Sequence, residues 1–294
     1  MRKLIALLLL ALPLALAQRT VTDATGAEVV IDDLSRVISL GGSVTEIIHA
    51  LGVANRLVAV DTSSVYPSEL VDRLPKVGYV RNLGAEGVLS LDPSLIITTP
   101  DAGPPEVLEQ LRDTGVAIFI VPDEDSIEGA KAKIRAIAEV FERQSQAEDL
   151  VRQIELDMLE AQLVVDSVAA AEPPSVMFIY ARGAGALSVS GVDTSAHAMI
   201  ALARGVNAVT EYQGYRPLTA EAAVTAAPEV LLFLTRGLES VGGVSGLAEL
   251  PGLALTPAYE AERIIAMDDL YLLGFGPRVG QAVLELTRAL YAQN

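Results

Sequence analysis

Between two strand-rich stretches of this chain lies a tract of about 45 residues that cannot be strand. Residues 126–170, which include "SIEGAKAKIRAIAEVFERQSQAEDLVRQIELDMLEAQLVV", are dominated by strong helix formers. They contain no proline, and no glycine after Gly129. One or two long helices are predicted there, with a break near residues 144–146. On either side, short β-branched runs alternate with helical patterns. "RVISL", "RLVAV", "SLIITT" and "AIFIV" precede the tract; "VMFIY", "EVLLFL" and "RIIAM" follow it. Strand–helix alternation implies parallel pairing, with helices covering the sheet. The predicted fold class is therefore α/β: two Rossmann-like lobes with mostly parallel sheets, joined by a long connecting helix. A small-molecule cleft is expected between the lobes. The predicted boundaries are a leader over 1–17, a first lobe over 18–142, the connecting helix over 143–172 and a second lobe over 173–294.

The leader reading rests on "MRKLIALLLLALPLALA". Arg2 and Lys3 are followed by an apolar run that ends in Ala-Leu-Ala, as in a cleaved signal peptide. That run is shorter than the roughly 20 residues needed to span a bilayer. The next residue, Gln18, has no thiol for lipid attachment. An exported chain with no stable membrane insertion is expected. Removing Arg2 and Lys3 takes the formal charge from −17 to −19. Such acidity repels polyanions, so no nucleic-acid partner is expected. Cysteine is absent, which excludes disulfides, thiolate metal sites and thiol nucleophiles. With only His49 and His197, a multi-histidine metal site is disfavoured.

An internal echo supports related lobes. Leu83, Ala85, Glu86 and Pro93 match Leu218, Ala220, Glu221 and Pro228 at a constant offset of 135 residues, and each set leads into a predicted strand. A Gly-Tyr precedes each copy, placing Tyr79 and Tyr215 in comparable loops. If the lobes face each other, both tyrosines point into the cleft from opposite walls. Ser43 and Glu46 have the spacing of a capping box at a helix start.

Tyr79 differs from Tyr215 in having Arg81 two residues on. A phenol titrates near 10 and is a poor ligand when neutral. Ferric iron favours anionic oxygen, and tyrosinate is a known axial ligand of haem iron. A guanidinium hydrogen-bonded to a phenolate favours the charged form. Tyr-x-Arg in a cleft loop can thus bind ferric iron.

The segments "LPKVGYVRNLGAEGVLSLDPSLII", "SGVDTSAHAMIALARGVNAV", "GYRPLTAEAAVTAAPEVLL", "RGLESVGGVSGLAELPGLALTP" and "MDDLYLLGFGPR" together resemble the periplasmic haem-binding proteins of bacterial ABC haem importers. The similarity spans nearly the whole chain after the leader. It implies a periplasmic substrate-binding protein for iron acquisition that captures haem (hemin) and delivers it to a dimeric ABC permease. Tyr79 would be the axial ligand to haem iron and Arg81 its support. Glu86 and Glu221, one on each lobe, would pair with permease arginines. Each glutamate also lies in the first turn of a predicted helix, where a carboxylate complements the helix dipole. Tyr215 is a further ligand-binding candidate and His197 a candidate second iron ligand. A monomer is expected. An alternative cargo for the same fold is a ferric siderophore or a corrinoid.

Arg182, Arg216 and Arg236 sit in predicted loops and are candidates to meet ligand carboxylates, although loop arginines are commonly just solvated. "GAGALS" from Gly183 lacks the third glycine of a dinucleotide loop and precedes another extended stretch. With no nucleophile–base–acid set and no cofactor fingerprint, no enzyme activity is expected.

Overall fold

The computed structural model describes residues 19–168 and 172–292. The leader expected over 1–17 lies outside the described residues. The first lobe is built on four parallel strands: β1 (Val37–Leu40), β2 (Leu57–Val60), β3 (Leu95–Thr98) and β4 (Ala117–Ile120). Their order is β2-β1-β3-β4. β1 and β3 are buried at every position, as central strands covered on both faces must be. Helices α1 (Gly42–Ala50), α2 (Ala85–Leu89) and α3 (Pro105–Asp113) lie on the connections.

The capping box expected from Ser43 and Glu46 does not form. Instead, Gly41 N–H donates to Asp61 and Gly42 N–H to Ser63. Ser43 accepts from Lys133, while the Glu46 carboxylate pairs with Arg278, far along the chain. A Cβ on Gly42 would lie 2.7 Å from both the Leu270 side chain and the Ser63 carbonyl, so only glycine allows this close approach between the lobes.

The helical tract is two helices. Ser126 caps α4 (Ile127–Phe141) by accepting from Gly129 N–H at 2.9 Å. Glu142 then turns left-handed at φ 57°, and α5 (Gln144–Ser167) begins two residues later. The break thus falls at residues 142–143, just before the predicted place.

The second lobe carries β5 (Ser175–Ala181), β6 (Leu187–Ser190), β7 (Tyr215–Pro217), β8 (Val230–Leu234) and β9 (Ile264–Met267). They lie in the order β7-β6-β5-β8-β9, with the short strand Val206–Asn207 also beside β5. β5, β8 and β9 are parallel, whereas β6 runs antiparallel to both β5 and β7. The "GAGALS" segment makes the tight turn into β6, where Arg182 and Gly183 bond back to Ala186. Helices α6 (Ser195–Leu202), α7 (Ala220–Ala226), α8 (Thr235–Ser240), α9 (Asp269–Leu273) and α10 (Val279–Tyr291) complete the lobe.

One apolar core runs through both lobes. It joins Val44 and Ile97 to Ile134 and Ile154 of the helical tract, then to Phe178, Leu232 and Leu284. α10 packs along α5 so tightly that a Cβ on Gly280 would sit 2.9 Å from the Ile154 carbonyl. The connector is therefore part of a shared core and not a free strut, which restricts how far the lobes can swing. Among the described residues, no helix is long and apolar enough to cross a membrane.

Candidate functional site

A cleft of about 420 Å³ lies between the lobes. Its lining comes from the carboxyl ends of the parallel strands in both sheets, where α/β folds place their ligands. Gly41 follows β1, Thr62 follows β2, Asp101 lies just past β3 and Asp123 just past β4. On the facing wall, Arg182 follows β5, Arg236 follows β8 and Asp269 follows β9.

Tyr79 enters this cleft from a two-residue hairpin in which Gly78–Tyr79 pairs with Asn82–Leu83. Gly78 has φ 103°, a backbone shape that only glycine adopts readily. Arg81 Nη1 donates to the Tyr79 hydroxyl at 2.6 Å, and its guanidinium lies 5.9 Å from the ring centre. Another nitrogen of Arg81 pairs with Asp101. Partial burial works against the Arg81 charge, but Asp101 and Tyr79 outweigh it and hold the guanidinium above its ordinary value.

The facing wall carries the same device. Tyr180 and Arg182 straddle the end of β5, where residues two apart project to one side. Arg182 donates to the Tyr180 hydroxyl through Nε at 3.0 Å and Nη2 at 2.6 Å, with its guanidinium 5.1 Å from the ring centre. Sequence reasoning singled out Arg182 but passed over Tyr180 as the end of a strand. The signal was present: "YAR" repeats the Tyr-x-Arg spacing of "YVR".

Tyr215 opens β7, the outermost strand, and is not among the residues that line the cleft. It packs behind Tyr180, with ring centres 6.1 Å apart, and edge-on to Phe178 at 6.4 Å. Burial pushes its phenol above the ordinary range. His197 lies in the first turn of α6, its Nδ1 3.4 Å from Asn207 Nδ2, and it too is outside the cleft lining. His49 is exposed in the last turn of α1. Arg216 stacks 4.5 Å over the Tyr212 ring, while Arg236 does line the cleft. Glu86 and Glu221 are both exposed in the first turns of α2 and α7. Neither forms a salt bridge among the described residues.

Carboxylates complete the cleft. Asp123 neutralises the fully buried Lys133. Asp125 accepts from Ser195 Oγ across the lobes at 2.6 Å, and burial raises its carboxyl above the ordinary range despite that bond. Asp269 is raised by burial too, and its Oδ1 is buried without a hydrogen-bond partner. The cleft can thus offer guanidinium-bonded tyrosine oxygens to a hard metal centre and arginines to ligand carboxylates.

Residues 37–271 match the periplasmic binding protein family model, and the chain belongs to that family. It is similar to the periplasmic heme-binding protein RhuT from Roseiflexus sp. RS-1 in its apo form, at 46% identity and TM-score 0.83. The match covers 87% of this chain and 98% of that one. The periplasmic heme-binding protein BhuT, in complex with two hemes, is 40% identical with TM-score 0.80, over 87% and 97% of the two chains. The vitamin B12-binding protein of Vibrio parahaemolyticus is 38% identical over 88 residues, only 30% of this chain and 32% of that protein.

Proposed function

We propose that this protein captures ferric haem outside the cytoplasm and delivers it to the permease of an ABC importer. The observation that carries the reading is the pair of Tyr-x-Arg devices on facing walls of one cleft, Tyr79–Arg81 and Tyr180–Arg182. Each supplies a phenol oxygen already engaged by a guanidinium, the arrangement suited to a ferric axial ligand. Arg236 is placed to meet a haem carboxylate, and Tyr215 backs the Tyr180 ring. Lobes that share a core need move little to admit a flat ligand.

Likeness over nearly whole chains favours haem over a corrinoid, for which the likeness is confined to about a third of the chain. Exposed Glu86 and Glu221, at echoed positions in the two lobes, are the docking charges for twofold-related permease subunits. We divide the chain into a first lobe over 18–142, a connecting helix over 143–172 and a second lobe over 173–294, and read the N-terminal leader over 1–17 as a cleaved export signal. The protein acts as a carrier and not as an enzyme.

Titrating apo-protein with hemin and following absorbance gives stoichiometry and ligand type together. A tyrosinate-type ferric spectrum is expected. Tyr79→Phe should weaken binding sharply, and adding Tyr180→Phe should abolish the tyrosinate signature. Unchanged hemin binding by the double variant refutes the ligand assignment. Tight cyanocobalamin binding with none for hemin transfers the cargo to the corrinoid class.

A further inference from the structure

The two Tyr-x-Arg pairs are wired differently. Arg182 gives two donors to Tyr180 and forms no salt bridge among the described residues. Arg81 gives one donor to Tyr79 and commits another nitrogen to Asp101. The Arg81 side chain is 61% exposed. A long, solvated arginine with a single neutral acceptor samples many rotamers, and ordering it costs entropy. Asp101 supplies the second attachment.

Asp101 is itself held. Its Oδ1 accepts from Thr99 Oγ1, and Thr99 is a buried residue just past the end of β3. Its loop is stitched to the Tyr79 hairpin by two backbone bonds. Gly103 N–H donates to Val80 O at 2.9 Å, and Leu83 N–H donates to Gly103 O at 2.8 Å. A continuous path therefore runs from the first sheet through Thr99, Asp101 and Arg81 to the Tyr79 oxygen.

Building on the haem reading of this cleft, we infer that Asp101 is a positioning residue for the iron ligand. It acts through Arg81, keeping the guanidinium turned onto the Tyr79 oxygen and away from other acceptors. It touches neither iron nor porphyrin in this role. The second lobe, which turns two donors of Arg182 directly onto its tyrosine, needs no such carboxylate.

The test is made in a Tyr180→Phe background, so that Tyr79 alone can supply a phenolate. Two readouts are followed on the hemin complex: the phenolate-to-iron charge-transfer band and the hemin dissociation rate. Arg81→Ala should shift the band and speed dissociation about tenfold, as expected for losing a hydrogen bond to a charged group. Asp101→Asn keeps the shape but can satisfy only one of its two donors. It should shift the band in the same direction and speed dissociation about threefold, the scale of a partly exposed ion pair. In the Arg81→Ala protein, adding Asp101→Asn should change neither readout, because residues acting through one another are not additive.

Asp101→Asn with both readouts at background values overturns the inference, as does an effect that persists undiminished without Arg81. A lowered thermal midpoint of apo-protein with the band unmoved makes Asp101 merely structural and overturns it too. Failure of the underlying haem reading looks different. In that case Tyr79→Phe in the same background leaves the tyrosinate band intact, and Asp101's role falls with the ligand assignment.

Discussion

Replacing Arg278 by methionine removes a contact that ties the two lobes together. Arg278 immediately precedes α10 in the second lobe and donates through Nε and Nη2 to the two carboxylate oxygens of Glu46 on α1, the second bond at 3.2 Å. Its guanidinium also lies 3.7 Å from the ring centre of Tyr66 in the first lobe and 4.8 Å from that of Tyr271 in the second. Glu46 is 3% exposed. Burial raises its carboxyl above the ordinary value, and Arg278 pulls back without cancelling the shift. A raised folded-state value means that this group's contribution is greatest below its ordinary value and fades as pH rises through the raised one. The intact ionised pair thus adds little to stability near neutral pH, but breaking it strands a buried carboxylate, at about 3–5 kcal/mol. Methionine keeps an apolar stem yet forfeits two cation–π contacts of about 0.5–1 kcal/mol each. Partial solvent access to Arg278 favours the lower end, about 4 kcal/mol in all, or a fall of about 8–16 °C in Tm for a chain of this size. In the variant Glu46 protonates more readily, so the loss should shrink between about pH 7 and about pH 5. Urea unfolding of apo-protein by circular dichroism at both pH values measures this. A loss near pH 7 under about 1 kcal/mol, the scale of an exposed ion pair, refutes the argument. So does a loss that is the same at both pH values.

Gly280→Ala should cost about 1–3 kcal/mol through overpacking, since its Cβ would meet the Ile154 carbonyl and Asp157 Cβ at 2.9 Å; thermal unfolding of apo-protein checks it. Asp269→Asn should become more stable relative to the parent as pH rises from its ordinary value of 3.8 toward neutrality. The parent then buries a carboxylate whose raised folded-state value makes ionisation costly, and thermal midpoints across that range show whether the gap widens. Reversing Glu86 and Glu221 together to arginine should leave hemin binding unchanged and abolish haem delivery to a reconstituted importer. Retained delivery removes the docking role.

The strands were legible because central parallel strands are near-continuous apolar runs, and "VISL", "LIIT" and "VLLFL" read that way without reference to their neighbours. The helical tract was legible from its composition. Its break was displaced by two residues because Glu142 takes a left-handed turn usually marked by glycine or asparagine, and nothing local announces a glutamate there. Glu46 could not be read correctly at all. Its spacing from Ser43 satisfies a local rule, while its partner lies 232 residues away and is brought near only by docking of the lobes. Local patterns report local competition, and a buried ion pair between lobes overrides them.

The internal echo and the site diverge for a related reason. The echo brings the two "GY" pairs to within one residue of register, 136 apart against the 135-residue offset, and so sets Tyr79 against Tyr215. In the second lobe, however, β6 and β7 extend the sheet outward from β5, and Tyr215 becomes the first residue of its outermost strand. Its ring lies beside Tyr180 and is not among the residues that line the cleft. What faces the cleft is the carboxyl end of a central strand, and there the chain places Tyr180 and Arg182. Tyr79 reaches the same cleft by another route, on a small hairpin outside the first sheet. The two walls thus present one chemical device on unlike scaffolds. Spacing within the device, Tyr-x-Arg with both side chains on one side, was the better guide to which tyrosines line the cleft than alignment of the halves. On both walls a phenol and a guanidinium meet at the cleft, although different elements carry them.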